Sequence, residues 1–370
     1  MGGVETYVRA LIRYLPSLDR QSRFTMLCDE QNSAYFRQLG DGWEIVEITN
    51  RRGSLMRMLR STARRFIGID LLRMQLDRMG FDLIHHPVSV MEPMGLKTPG
   101  IVTFLDMQHE FFPQFFSEKE RAARTERYRS SAEAAQAVIA ISEHAKACLV
   151  DRYGIDPGKV RAIHLGCSAE YRRITDGEEL EEVRSRLGLP TQFIYYPAAT
   201  WPHKNHRTLL AALQILVERY RFDGKLVLSG IAKSPHEALL GEIDARGVQD
   251  RVHLCGYLSY DDLPYLYNLA KMVVFPSLFE GFGLPVIEAM ASGCPVACSD
   301  TTSLPEVAGD AAVYFNPDDP GEIAESVWRV WNDPVVQDQL KSDGMARAKR
   351  FEWRETARKT LDVYTGIYVR

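Results

Sequence analysis

The sequence predicts an α/β protein built as two doubly wound domains, each a parallel sheet wrapped by helices, facing one another across a cleft. Three observations carry that prediction. Short apolar, β-branched runs alternate with longer helical stretches along the whole chain, the pattern of strand–crossover–strand units. Several runs are continuously apolar rather than alternating, as strands covered on both faces are. The length of 370 residues suits two domains at roughly 150 residues each.

Taken in order, the first series of strands is expected at 23–27, 43–48, 82–86, 100–104, 137–142 and 160–164. A second series follows at 193–197, 225–229, 251–254, 272–275, 295–298 and 311–314. Helical segments lie between them, such as 205–220, where Leu209, Leu210, Leu213, Leu216 and Val217 make one apolar face. Between the two series no strand signal occurs. The acidic run 176–182 and the breaker Gly188-Leu189-Pro190 mark a linker at 171–190. The first domain then takes 1–170 and the second 191–351, while 352–370 reads as a helix packing back on the first domain.

Composition excludes several classes. Hydrophobic residues at 45% and charged residues at 25% are ordinary globular values, not those of a disordered or collagen-like chain. Lys+Arg 45 against Asp+Glu 49 leaves −4, which argues against nucleic acid as a partner. The six cysteines show no C-x-x-C pair and no zinc spacing, so reduced thiols in a cytoplasmic protein are expected. No apolar run approaches the roughly 20 residues of a membrane span. One segment departs from the average: 51–80 carries eight arginines against Asp70 and Asp77, 8 − 2 = +6. It reads either as a solvated helix pair or as a peripheral contact with anionic lipid at the inner face of the membrane.

The chemistry concentrates in two loops. Phe275 ends a strand, and Pro276-Ser-Leu-Phe-Glu280-Gly281-Phe282-Gly283-Leu284-Pro285-Val-Ile-Glu288 follows. Pro285 suits the first turn of a helix, so the amides of Phe282, Gly283 and Leu284 stand at a helix start, where phosphate binds well. Gly281 and Gly283 let a ligand approach the backbone. Two carboxylates beside a phosphate repel it, but Glu280 and Glu288 suit hydroxyl groups on either side of a diphosphate. The second loop, Trp201-Pro-His203-Lys204-Asn205, supplies the balancing cation in Lys204, which would stabilise charge on a departing diphosphate. Asn205 is placed to cap the helix that follows.

The pairing of Glu280-Gly-Phe-Gly-Leu-Pro-Val-Ile-Glu288 with His203-Lys204-Asn205 resembles the retaining, nucleotide-sugar-dependent glycosyltransferases of family four, which have the GT-B fold. The resemblance runs through Gly2-Gly3-Val4-Glu5, Ala140-Ile-Ser-Glu-His144, Gly256-Tyr257-Leu-Ser and Ser303-Leu-Pro-Glu306, over essentially the whole chain. It implies Glu280 on the donor sugar and Glu288 on the ribose. Lys204 and the amides of Phe282–Leu284 would hold the diphosphate, and Gly256 and Tyr257 would border the base. Gly2 and Gly3 would form a turn closing on the donor. No metal and no cofactor are implied beyond the nucleoside diphosphate sugar as co-substrate. The implied reaction moves a hexose, mannose-like, to a hydroxyl of a saccharide or lipid-linked acceptor in cell-surface polysaccharide biosynthesis. A sugar-nucleotide epimerase of the same architecture, or a catalytically silent binding protein, is the alternative.

Three departures from the family pattern stand out. A strand is expected to feed Gly2-Gly3, which places the natural start upstream. Leu105 stands where many relatives have a histidine; either His109 serves in its place, with Asp106 a further candidate, or His109 is a structural hydrogen-bonder. The arginine often found shortly before the phosphate lysine is missing from 198–202, leaving His203 or a residue elsewhere to supply the second positive charge. His85 and His86 end a strand, either lining an acceptor site or serving the core.

Overall fold

A computed structural model of the chain describes residues 3–39, 42–48, 70–233 and 236–368. It divides into two compact units, one of Met1–Asp106, Lys119–Gly166 and Trp353–Arg370, the other of Met107–Glu118 and Cys167–Glu352. Each of the twelve expected strands is present, with ends shifted by at most two residues.

In the first unit β1 (Phe24–Cys28) pairs in parallel with β2 (Trp43–Glu47). A second parallel sheet runs β3 (Ile84–His86), β4 (Gly100–Phe104), β5 (Ala137–Ala140) and β6 (Val160–Ala162), in that spatial order. All of β4 is buried, because it is an interior strand between helical layers. Among the described residues β1 and β3 do not pair, and a cavity of about 320 Å³ lined by Leu11, Leu15, Met26, Ile84 and His85 borders both.

Two long helices cover these sheets. Gly3–Leu18 buries Tyr7, Leu11, Ile12 and Leu15. The expected C-terminal helix is Trp353–Tyr368, and it belongs to this unit: Val363, Tyr364 and Ile367 pack on Ile101, Ile139 and Ile163. Polar bonds fix it as well. His85 joins the Tyr364 hydroxyl at 2.6 Å through Nδ1 and the Thr103 hydroxyl at 2.7 Å through Nε2, while Tyr7 reaches the same Thr103 at 3.0 Å. Burial pushes the His85 imidazole down to about 3, so the ring is neutral. Of the two readings for His85, the core one describes its contacts.

The second unit holds a six-stranded parallel sheet, ordered β12 (Val313–Phe315), β11 (Val296–Ser299), β10 (Met272–Phe275), β7 (Phe193–Pro197), β8 (Lys225–Ser229), β9 (Val252–Gly256). The chain proceeds outward from β7 on one side and from β10 on the other. The reversal between these neighbours is a topological switch point, and in open α/β sheets ligands bind beyond the carboxyl ends of strands at such a point.

Three boundaries differ from the sequence reading. The stretch 171–190 is not a bare linker. It holds a helix, Gly177–Arg186, capped by the Asp176 carboxylate on the Glu178 and Glu179 N–H groups. Nearby, the Ile174 N–H donates to the Asn268 carboxamide at 2.8 Å, so the stretch is part of the second unit. Met107–Glu118 also groups with that unit, because Phe111 and Phe112 pack on Phe279 with ring centroids 5.1 and 6.3 Å apart. Gly3 opens a helix, while Gly2 lies outside the described residues. Of the basic segment 51–80, residues 51–69 also lie outside them, and Leu71–Met79 is a helix capped by Asp70. Among the described residues no helix is long and apolar enough to cross a membrane.

His85→Leu strands buried hydroxyl partners and should cost about 2–4 kcal/mol, read as lost hydrogen-exchange protection in β3, β4 and Trp353–Tyr368. Below pH 6.5 the unfolded chain takes up a proton that the folded His85 refuses, so wild-type stability falls as pH drops toward 3. The variant should show a shallower fall. Equal slopes with unchanged protection would contradict the assignment.

Candidate active site

The switch point brings together the two loops singled out in the sequence. Lys204 follows β7 and Glu280 follows β10, and their side chains meet: Lys204 Nζ lies 2.5 Å from Glu280 Oε1, with side-chain exposures of 18% and 12%. The ammonium also sits 5.6 Å from the centre of the Phe275 ring. Such a shielded pair keeps its geometry only if the backbone around it is held, since desolvating both charges is costly.

The backbone is held by a dense set of bonds. The Leu278 N–H donates to the His203 carbonyl at 2.8 Å, lacing one loop to the other. The Tyr196 hydroxyl donates to the Lys204 carbonyl at 2.6 Å. Asn205 does not cap the following helix, His206–Tyr220, with its side chain. Its backbone turns left-handed at φ 60°, and its amide instead donates to the carbonyls of Pro276 at 3.0 Å and Pro317 at 2.8 Å. On the far side the Ser303 hydroxyl donates to the carbonyls of Glu280 at 3.0 Å and Phe282 at 2.9 Å. The Glu280 N–H donates to the Thr302 hydroxyl at 3.2 Å.

The glycine loop then enters the helix Leu284–Ala291, with Pro285 in its first turn as expected. Gly283 has φ 106°, and a Cβ there would stand 2.7 Å from Leu304 Cδ2, so both backbone and space require glycine. Gly281 and Phe282 precede it, the Phe282 ring buried edge-on to Phe351 at 5.8 Å. The first-turn amides that a helix cannot pair internally follow Glu280 directly in sequence, and such amides favour an anion.

Glu288 lies within that helix, and its surroundings differ from those of Glu280. Its Oε2 accepts from the Tyr267 hydroxyl at 2.8 Å, and Tyr171 bonds it too. Burial pushes its carboxyl up to about 7, partly offset by those two hydroxyls. Tyr171 and Tyr195 both stack edge-on to Tyr267, at 5.7 and 5.4 Å. The sequence reading identified Glu288 but not this tyrosine floor, whose members are scattered over 171–267 with no local pattern.

The remaining expected residues divide. Gly256 ends β9 in a left-handed conformation at φ 65° with open space where a Cβ would be, and Tyr257 is 57% exposed beside it. Both are open to a ligand. His203 is in the right loop, but burial and the neighbouring Lys204 charge push it down to about 4, so it carries no positive charge at neutral pH. His109 is enclosed: it is 0% exposed, 3.6 Å from the Glu110 carboxylate and edge-on to Phe116 at 6.2 Å. It is therefore closed to solvent within the segment Met107–Glu118.

Comparison with known proteins agrees with this architecture. A family model described as Glycosyltransferase Family 4 matches residues 1–171, and one described as Glycosyl transferases group 1 matches 179–350. The chain is 30% identical over 285 residues to O-antigen chain mannosyltransferase B of Escherichia coli, covering 76% of this chain and 74% of that protein. It is 32% identical over 238 residues to the serotype-specific mannosyltransferase WbdA of Escherichia coli, spanning 64% of this chain but only 29% of that longer protein. Among solved structures, sucrose-phosphate synthase from Thermosynechococcus elongatus superposes with a TM-score of 0.76 at 21% identity, covering 100% of this chain and 94% of that one. Such a match identifies the GT-B fold.

The raised Glu288 carboxyl predicts a pH signature. Its folded value lies above the unfolded one, so ionising it costs folded-state stability as pH rises from about 4.5 to about 7. Glu288→Gln removes that cost. The melting temperature of the variant minus that of wild type should therefore rise across this window and level off above it. A difference independent of pH would refute the assignment.

Proposed function

The chain belongs to glycosyltransferase family 4, and from that premise we propose that it is a retaining hexosyltransferase using a nucleoside diphosphate sugar. The sugar would pass to a hydroxyl of a saccharide or lipid-linked acceptor during cell-surface polysaccharide synthesis. One observation carries the reading: the shielded Lys204–Glu280 pair, 2.5 Å apart at the switch point of the second sheet. Its ammonium and carboxylate suit the two halves of one activated sugar.

The roles follow from charge. Lys204 and the first-turn amides at Phe282, Gly283 and Leu284 would meet the diphosphate, and their attraction grows as the glycosidic bond breaks and negative charge gathers on the leaving oxygen. Glu280 would accept hydrogen bonds from sugar hydroxyls. Glu288, steadied by Tyr267 and Tyr171, would accept from the ribose, with Tyr257 bordering the base. In balance, the bond from the anomeric carbon to the diphosphate oxygen breaks, a bond to the acceptor oxygen forms on the same face, and the acceptor proton leaves with the diphosphate. Glu280 and Glu288 are not a glycosidase pair, because their tasks lie on sugar and ribose rather than on opposite sides of a scissile bond. The mannosyl and polysaccharide parts of the proposal rest on the E. coli O-antigen chain mannosyltransferase B, of which the chain covers 74%.

A thermal-shift screen of GDP-, UDP-, ADP- and TDP-sugars should single out one nucleotide, with a ligand at 100 Kd adding about 2.7 kcal/mol. With that donor and an oligosaccharide acceptor, Lys204→Gln and Glu280→Gln should each lower kcat about 100-fold, and NMR should show the donor's anomeric configuration in the product. Full transfer in both variants, or an inverted product, would overturn the proposal. Donor consumed without acceptor would point to epimerisation instead.

A further inference from the structure

A diphosphate carries at least two negative charges, and the second unit is short of cations where it would bind. The loops after β7 to β12 carry, among the described residues, two ammonium groups, Lys204 and Lys233. Against them stand the carboxylates of Asp261, Asp262, Glu280, Asp300, Asp318 and Asp319. Glu280 already meets the charge of Lys204, and His203 is neutral at physiological pH. No arginine precedes the lysine in 198–202.

The loop after β8 is built against the loop after β7. Gly230 has φ 144°, and a Cβ there would stand 2.4 Å from the Ala198 carbonyl oxygen, so only glycine permits this approach. The Thr200 N–H donates to the Ile231 carbonyl at 3.3 Å, and the Lys233 N–H donates to the Thr200 hydroxyl at 2.8 Å. These bonds set the Lys233 ammonium 5.3 Å from the centre of the Trp201 ring, which is 45% exposed. The Lys204 N–H in turn donates to the Trp201 carbonyl at 2.9 Å. Both lysines are thus tied to one residue, one by a ring and the other by a single tight turn. An aromatic face holds a cation without cancelling its charge, which a carboxylate does not.

We propose that Lys233, held by Trp201, is the second cation for the donor diphosphate and replaces the arginine that 198–202 lacks. The proposal rests on the nucleoside diphosphate reading given above. Lys233 would contact the phosphate oxygens, and Trp201 is a positioning residue.

Titration calorimetry of the full chain tests it, using GDP, UDP, ADP and TDP with the matching monophosphates and nucleosides. Lys233→Met should weaken the diphosphate that wild type prefers by about tenfold, about 1.4 kcal/mol, and leave the nucleoside unchanged. Lys233→Arg should restore it. Trp201→Leu should give the same pattern at smaller amplitude. Wild-type diphosphate affinity in Lys233→Met, or an equal loss for nucleoside and diphosphate, would overturn the role of Lys233 alone. If wild type bound none of the four diphosphates, the nucleotide-sugar reading would fall, and this proposal with it.

Discussion

An ammonium and a carboxylate 2.5 Å apart, each less than a fifth exposed, set the terms for the rest of the second unit. Removing both charges from water is worthwhile only with good geometry, and losing either partner leaves an uncompensated charge. The surrounding structure reflects that demand. Asn205 gives up helix capping to hold two distant carbonyls, and Ser303 holds two more. The pair exists because β7 and β10 are neighbours although 74 residues separate Pro197 from Met272 (272 − 197 − 1 = 74). A parallel sheet whose order reverses there is what turns two remote loops into one site.

Elements and key residues were legible in the sequence for a simple reason. Buried parallel strands such as 272–275 and 193–197 are continuous apolar runs, and that signal does not depend on tertiary detail. Pro285, Gly283, Lys204, Glu280 and Glu288 were legible because each needs a particular residue type at a fixed offset from a strand end. What escaped notice depends on contacts far apart in sequence. The aromatic run in Met107–Glu118 reads as loop beside β4, yet its partner is Phe279. The segment 171–190 lacks a strand and looked like a linker, while Asp176 caps a helix inside it. His109 stands in a loop, where sequence leaves a site role and a structural one equally open, and only packing shows that it is closed in.

The two glutamates show how surroundings separate residues of one type. They lie eight positions apart, one before the helix Leu284–Ala291 and one inside it. Glu280 faces an ammonium at 2.5 Å. Glu288 faces tyrosine hydroxyls over a floor of rings, with its carboxyl pushed up to about 7. A carboxyl near that point is readily neutralised when no ligand is present. Under the proposed function it would gain most from ligand hydroxyls that donate to it, because those bonds would replace the water it has lost. Surroundings therefore give one carboxylate an ammonium for a partner and the other tyrosine hydroxyls.

The two lysines divide in a parallel way. Lys204 is paired with a carboxylate, so under the proposed function its attraction for an anion would grow when Glu280 turned its oxygens to sugar hydroxyls. Sugar and diphosphate would then favour each other's binding, since the sugar would occupy the acid and thereby release the base. Lys233 has a ring rather than a carboxylate for a partner, and a ring does not cancel a cation's charge. On the proposal made above, a cation of that kind would attract any diphosphate, while the paired one would reward a diphosphate that also bears hydroxyls. Discrimination between a sugar nucleotide and a bare nucleotide would then follow from which lysine has a carboxylate beside it.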